Sequence, residues 1–129
     1  MRRVQILSPF RGATPADRAR NVAYAKAALL DCLERDEAPF APHLLYPAVL
    51  DESEPEQRMQ GISAGLEWLA VAEAVVVYDD LGMSEGMRAE LIQAEIAGVA
   101  VEHRRLPGWD TPTLELPVIT LEEPNNDRA

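Results

Sequence analysis

The sequence predicts a doubly wound α/β domain, with a mostly parallel sheet of about four to five strands and helices on both faces. Three observations predict it. Ala74-Val75-Val76-Val77-Tyr78 is continuously apolar around three consecutive valines, as a central parallel strand reads when helices cover both its faces. Strand-like segments alternate with segments that carry helix-start signals and helical spacing, over short connections. The two loops richest in polar and glycine residues each follow a strand, at the sheet edge where such folds bind ligands.

The elements follow in order. Val4 to Ser8 reads as a buried first strand that runs into the loop Pro9-Phe10-Arg11-Gly12. Thr14-Pro15-Ala16-Asp17 opens a helix, with Thr14 as N-cap, Pro15 at the first helical position and Asp17 where a capping-box acid sits. Val22, Ala25, Leu29 and Leu33 recur at helical spacing and carry that helix to about Asp36. Ala38 to Pro42 is a brief second strand. His43-Leu44-Leu45-Tyr46-Pro47 reads as a loop that continues through Leu50 to Glu54. Pro55 starts a second helix whose apolar face carries Met59, Ile62, Leu66 and Leu69. The Ala74–Tyr78 strand ends in Asp79-Asp80-Leu81-Gly82. Ser84 then caps a third helix bearing Met87, Leu91, Ala94 and Ile96, which Gly98 ends. Val99-Ala100-Val101 is the next strand, and Val118 to Leu121 a further candidate. Residues 1–121 are expected to form a single domain of Rossmann or flavodoxin-like type, with 122–129 as a flexible tail.

Composition narrows the function classes. With 129 residues and 47% hydrophobic content, the chain can bury one real core. A net charge of −10 argues against a nucleic-acid polymer or an anionic membrane as partner. A small phosphorylated ligand stays compatible, because local amides and one arginine outweigh a distant negative surface. No apolar run approaches the ~20 residues of a membrane span. The single cysteine, Cys32, excludes an intrachain disulfide and fits a cytoplasmic protein. Its sequence neighbours suggest a buried apolar residue rather than a reactive thiol. No spacing of His, Cys and carboxylates suggests a metal site.

The first loop, Ser8-Pro9-Phe10-Arg11-Gly12, offers amides, a hydroxyl and a guanidinium beside a helix N-terminus, a set that suits a phosphate or sugar hydroxyls. The second region, Ser84-Glu85-Gly86-Met87-Arg88-Ala89-Glu90, places a hydroxyl and free amides at a helix start. Gly86 and Glu90 share a helical face. A carboxylate there can serve as nucleophile or base, whereas Glu85 is explained by the helix dipole alone. His43 is a proton-donor candidate matched to neutral pH, and Tyr46 and Asp51 could contact a base and a sugar hydroxyl. His103, Arg104 and Arg105 read as a surface cluster.

Leu66-Glu67-Trp68-Leu69, Ala72-Glu73-Ala74-Val75-Val76-Val77, Ser84, Gly86 and Glu90 together resemble the corresponding run of the deoxynucleoside 5′-monophosphate N-glycosidases. Those belong to the nucleoside 2-deoxyribosyltransferase superfamily. The first loop is similar to that superfamily's first-strand loop, which ends in Arg-Gly. With Pro39-Phe40-Ala41-Pro42-His43, the chain also resembles small phage and bacterial domains related to it. The resemblance spans Val4 to Val101. It implies that Glu90 attacks the anomeric carbon and that Ser8, Arg11, Gly12 and Ser84 hold a 5′-phosphate; Phe10, Tyr46 and Gly86 are the further candidates for lining the substrate site. It further implies a nucleotide or nucleoside ligand, no cofactor, and a homodimer or larger homo-oligomer. Ser84, where the transferases favour Asp, tilts the expectation toward hydrolysis of a monophosphate. One departure stands out: Gly65 occupies the place of the superfamily's Asp that positions sugar and nucleophile. Either Asp79 or Asp80 supplies that carboxylate, or the domain binds a nucleotide without the chemistry. A protein-interaction domain with a vestigial cleft is a third reading.

Overall fold

A computed structural model describes residues 1–109. Four parallel strands, β1 (Arg2–Leu7), β2 (Glu37–Phe40), β3 (Ala74–Tyr78) and β4 (Ala100–Arg104), form one sheet in the order β2-β1-β3-β4. The helices are α1 (Pro15–Glu34), the short α2 (Pro42–Leu45), α3 (Pro55–Leu69) and α4 (Glu85–Ala97). The doubly wound parallel class read from the sequence is the observed one.

Alternation along the strands divides the core. Val4, Ile6, Ala74, Val76 and Tyr78 point to one face and pack with Tyr24, Ala28 and Cys32 of α1. Leu7, Val75 and Val77 point to the other, against Leu69 of α3 and Met87 and Ala94 of α4. The chain leaves β1 toward β2 and later returns to β3 on its other side, so the order reverses between β1 and β3. The carboxyl ends of those two strands open the crevice that such a switch creates.

Local signals explain the helix ends. The Thr14 hydroxyl accepts from Asp17 N, and the Ser84 hydroxyl accepts from Met87 N. Gly98 closes α4 in the left-handed region at φ 72°. Several readings need correction. His43 to Pro47 is not loop: α2 is followed by a 3-10 turn at Tyr46–Ala48. Helix α1 ends before Asp36, which adopts φ 61° on the way into β2. Strand β4 runs on to Arg104. The α1 face is rotated too: Asn21, Tyr24, Ala25, Ala28 and Cys32 are buried, while Leu33 faces solvent. Small residues line the face against the sheet, so Leu30 and Leu33 fall outside it while Leu29 packs partly buried against the same cluster. On α3 and α4, Met59 and Ile96 likewise point to solvent. The Val118–Leu121 strand and the 122–129 tail lie outside the described residues.

Arg104 is not a surface cation. It is 7% exposed, and its guanidinium donates both ways to Glu37, from Nη1 to Oε1 and from Nη2 to Oε2, each at 2.8 Å. Arg2 bridges Glu37 and Glu102 alongside, and Arg104 also donates to the Tyr78 hydroxyl at 3.2 Å. This network spans the sheet face from edge strand β2 to edge strand β4. Cys32 lies fully buried against it, its thiol pushed up by burial. Among the described residues, no helix is long and apolar enough to cross a membrane.

Candidate functional site

The loops after β1 and β3, the starts of α1, α2 and α4, and the side of α3 from Arg58 to Leu66 surround a cavity of about 740 Å³. Ser8, Phe10, Arg11, Gly12, His43, Tyr46, Ser84, Gly86 and Glu90 all line it, so the structure gathers nine of the residues singled out from sequence. The aspartates are the exceptions, Asp79 first. It lies outside the wall, with Oδ2 3.4 Å from His103 Nδ1 and Oδ1 3.7 Å from Arg105 Nε. Asp80 does not replace it: its buried carboxylate accepts from the Tyr24 hydroxyl at 2.6 Å and from Leu106 N at 2.9 Å. Asp51 is also elsewhere, closing a turn by accepting from Ser53 N and Ser53 Oγ.

The β1–α1 loop is held by its own chemistry. Gly12 has φ 78°, and a Cβ there would stand 2.5 Å from Asp17 Cβ, so only glycine allows this turn. Asn21, buried on α1, donates to the Phe10 carbonyl at 3.2 Å. The Arg18 guanidinium sits 5.0 Å from the Phe10 ring centroid. Ser8 and His43 meet across the cavity, Oγ to Nε2, at 2.7 Å.

Burial sets the protonation states here. It pushes Glu90 up to about 7, partly opposed by a hydrogen bond from the Gln5 side chain. It pushes His43 down to about 4. The expectation of a histidine matched to neutral pH is therefore corrected: at pH 7 His43 is neutral and Glu90 is the group near its midpoint. The cavity thus places the Glu90 carboxyl on the same helix whose N-terminal residues Ser84, Glu85 and Gly86 also line it.

At Gly86 nothing in the protein demands a glycine. An added Cβ would meet only Ser84 Oγ, at 3.9 Å, and would otherwise project into open space. Gly86→Ala is expected to leave the melting temperature unchanged or slightly raised, since alanine is the better helix former. Ligand affinity measured by calorimetry should fall, because the methyl group occupies cavity space. Gly65 is different. A Cβ there would stand 3.3 Å from Pro42 Cβ and 3.4 Å from Pro42 Cγ, so a side chain at this position would crowd the start of α2 by a few tenths of an ångström.

Sequence reasoning missed Gln5, Arg20, Asn21, Arg58 and Gln93. Arg20 and Arg58 add positive charge to the cavity wall. They belong to helices whose first turns were read only for caps and apolar spacing. The signal for Gln5 was available: it is the one amide inside an otherwise apolar first strand. Among the described residues, no group of three or more His, Cys, Asp or Glu side chains stands where it could hold a metal ion.

The fold is similar to that of a 2-deoxyribosyltransferase from Bacillus psychrosaccharolyticus, with a TM-score of 0.56 and 21% sequence identity over 82% of this chain and 74% of that one. No curated protein matches the sequence significantly. A family model described as "Domain of unknown function (DUF7768)" matches residues 2–104, and the chain belongs to that family.

Proposed function

We propose that the cavity binds a nucleoside 5′-monophosphate or related nucleotide and breaks or transfers its N-glycosidic bond, with Glu90 as nucleophile. The observation that carries this reading is the Glu90 carboxyl in the cavity wall, desolvated and titrating at about 7, on the same helix as the Ser84 and Gly86 start. The likeness in fold to a 2-deoxyribosyltransferase supports it. Ionised Glu90 attacks the anomeric carbon, and the C–N electron pair leaves with the base, which takes a proton from water while His43 stays neutral. Water, or a second base, then attacks the same carbon and returns Glu90 as carboxylate. Arg11, the amides at Gly12 and the α4 start hold the phosphate, while Ser8, oriented by His43, holds a sugar oxygen or the phosphate.

A second reading, nucleotide sensing without turnover, is favoured by Gly65. The position matching the superfamily's positioning Asp carries no side chain and lies tight against Pro42, and neither Asp79 nor Asp80 lines the cavity. A chromatographic screen for free base, run over nucleosides and their monophosphates, separates the two. Base release by the wild type supports the enzyme. No release, with thermal stabilisation by a monophosphate of about 3 kcal/mol at a hundredfold excess over Kd, selects the sensor. Neither signal would overturn both.

A further inference from the structure

Gln5 is an anomaly in the core. It sits in the middle of β1, 2% exposed, among the largest fully buried side chains. Its strand neighbours on the same face pack against α3 and α4 as apolar residues. A leucine or methionine would fill such a place without burying an amide, and a buried amide is destabilising unless its polar atoms are matched. Here they are matched only in part. Nε2 donates to the Gly65 carbonyl of α3 at 3.2 Å, and Oε1 is buried with no partner. Gly65 and Glu90 both line the cavity, so the amide lies beneath its floor, between the helix that carries Gly65 and the helix that carries Glu90.

Refining the site proposed above, and resting on Glu90 as its reacting group, we infer that Gln5 is a positioning residue: its amide, anchored on the Gly65 carbonyl, holds the Glu90 carboxyl at the cavity floor in both protonation states. The amide group has two N–H donors, and Gly65 takes one. The other can serve the Glu90 carboxylate. When Glu90 is protonated, its O–H can donate to Oε1, the atom otherwise left unmatched. An apolar side chain offers neither bond, and a charged one would fix a single protonation state. The match also fits the direction of the Gln5 contribution, which favours the charged form against the desolvation that opposes it. The other titratable groups around the cavity are His43 on α2, Tyr46 in the 3-10 turn, Arg11 in the first loop, Asp17 and Arg20 on α1, Glu52 and Arg58 near the α3 start, and Glu85 on α4. None of them is among the causes of the Glu90 shift.

The test is the titration of the Glu90 carboxyl carbon by NMR in the intact chain, its resonance identified by its loss in Glu90→Gln. Gln5→Met keeps the volume close and removes the amide. The Glu90 midpoint is expected to rise by roughly one pH unit, the equivalent of one lost hydrogen bond to a carboxylate. An unmoved midpoint, with or without a lower melting temperature, would overturn the inference. Should Gln5→Met fail to fold, the wild type decides. The Gln5 side-chain amide protons should shift with the Glu90 midpoint and stay flat in Glu90→Gln; a flat response in the wild type overturns it. Base release adds a separate arm, with the acid limb of the pH profile moving upward in Gln5→Met and KM little changed. If no base is released by either protein, the glycosidic reading fails while the titration still stands or falls by itself.

Discussion

Arg104→Ala is expected to be strongly destabilising, by about 3 kcal/mol in chemical denaturation, the low end of what removing one member of a buried pair costs, because Arg2 still holds Glu37. The guanidinium makes both of its bonds to Glu37 at 2.8 Å from a side chain only 5% exposed. Removing it strands the Glu37 carboxylate, itself 7% exposed, with Arg2 as remaining partner. Against a typical total of about 5–15 kcal/mol, such a loss leaves a marginal protein. The pair also fixes an acid limit. Arg104 and Arg2 hold Glu37 down to about 2, from 4.5. A carboxyl depressed in the folded state contributes stability that is present above its unfolded value and lost as pH falls through the folded one. Stability should therefore decline between about pH 4.5 and pH 2, by up to about 3 kcal/mol from this residue. Glu37→Gln should flatten that decline while lowering stability at neutral pH. A variant Arg104→Ala as stable as wild type would mean that solvent reaches the pair.

Glu90→Gln should have opposite effects on activity and stability. If Glu90 is the nucleophile, base release falls by at least about 10³-fold, since the amide cannot form the ester. Wild-type turnover should rise with pH through about 7 as the carboxyl ionises. For stability the sign reverses. Glu90 is raised above its unfolded value of 4.5 to about 7, so its favourable contribution is complete below pH 4.5 and is lost as pH rises through 7. The amide has no charge to desolvate. Glu90→Gln should match wild type near pH 4 and exceed it at pH 8, by roughly 1–3 kcal/mol once partial solvation at the cavity is allowed for. Equal stability at both pH values would mean the carboxyl is hydrated. His43, pushed down to about 4 from 6.5, acts from the other side: a base kept neutral stabilises above its unfolded value, and that contribution is lost as pH falls from 6.5 toward 4.

What could be read in the sequence was what is locally encoded. The three valines of β3, the proline and threonine opening α1, and the serine and glycine bounding α4 each act over a few residues, and the parallel class follows from their alternation. Helix α2 could not be read this way, because four residues between prolines are too short for a period. The α1 face was misassigned because spacing alone does not tell alanines that allow close approach from leucines left outside. Arg104 was read as surface because its partner, Glu37, is 67 residues away in sequence. The candidates that line the cavity could be gathered from sequence because they lie in, or just beyond, the connections that follow strands. Asp79 was misplaced since chain proximity to the site does not say which way a side chain turns. Which protonation states the site holds depends on burial, and burial is a property of the assembled fold.

The thiol under the Arg104 network has a practical consequence. It is the chain's only cysteine, 0% exposed and less acidic than usual. An alkylating reagent can reach it only when α1 lifts from the sheet, so its modification rate reads how often that helix opens. The native chain carries, without any added label, a reporter of the contact between its longest helix and the sheet.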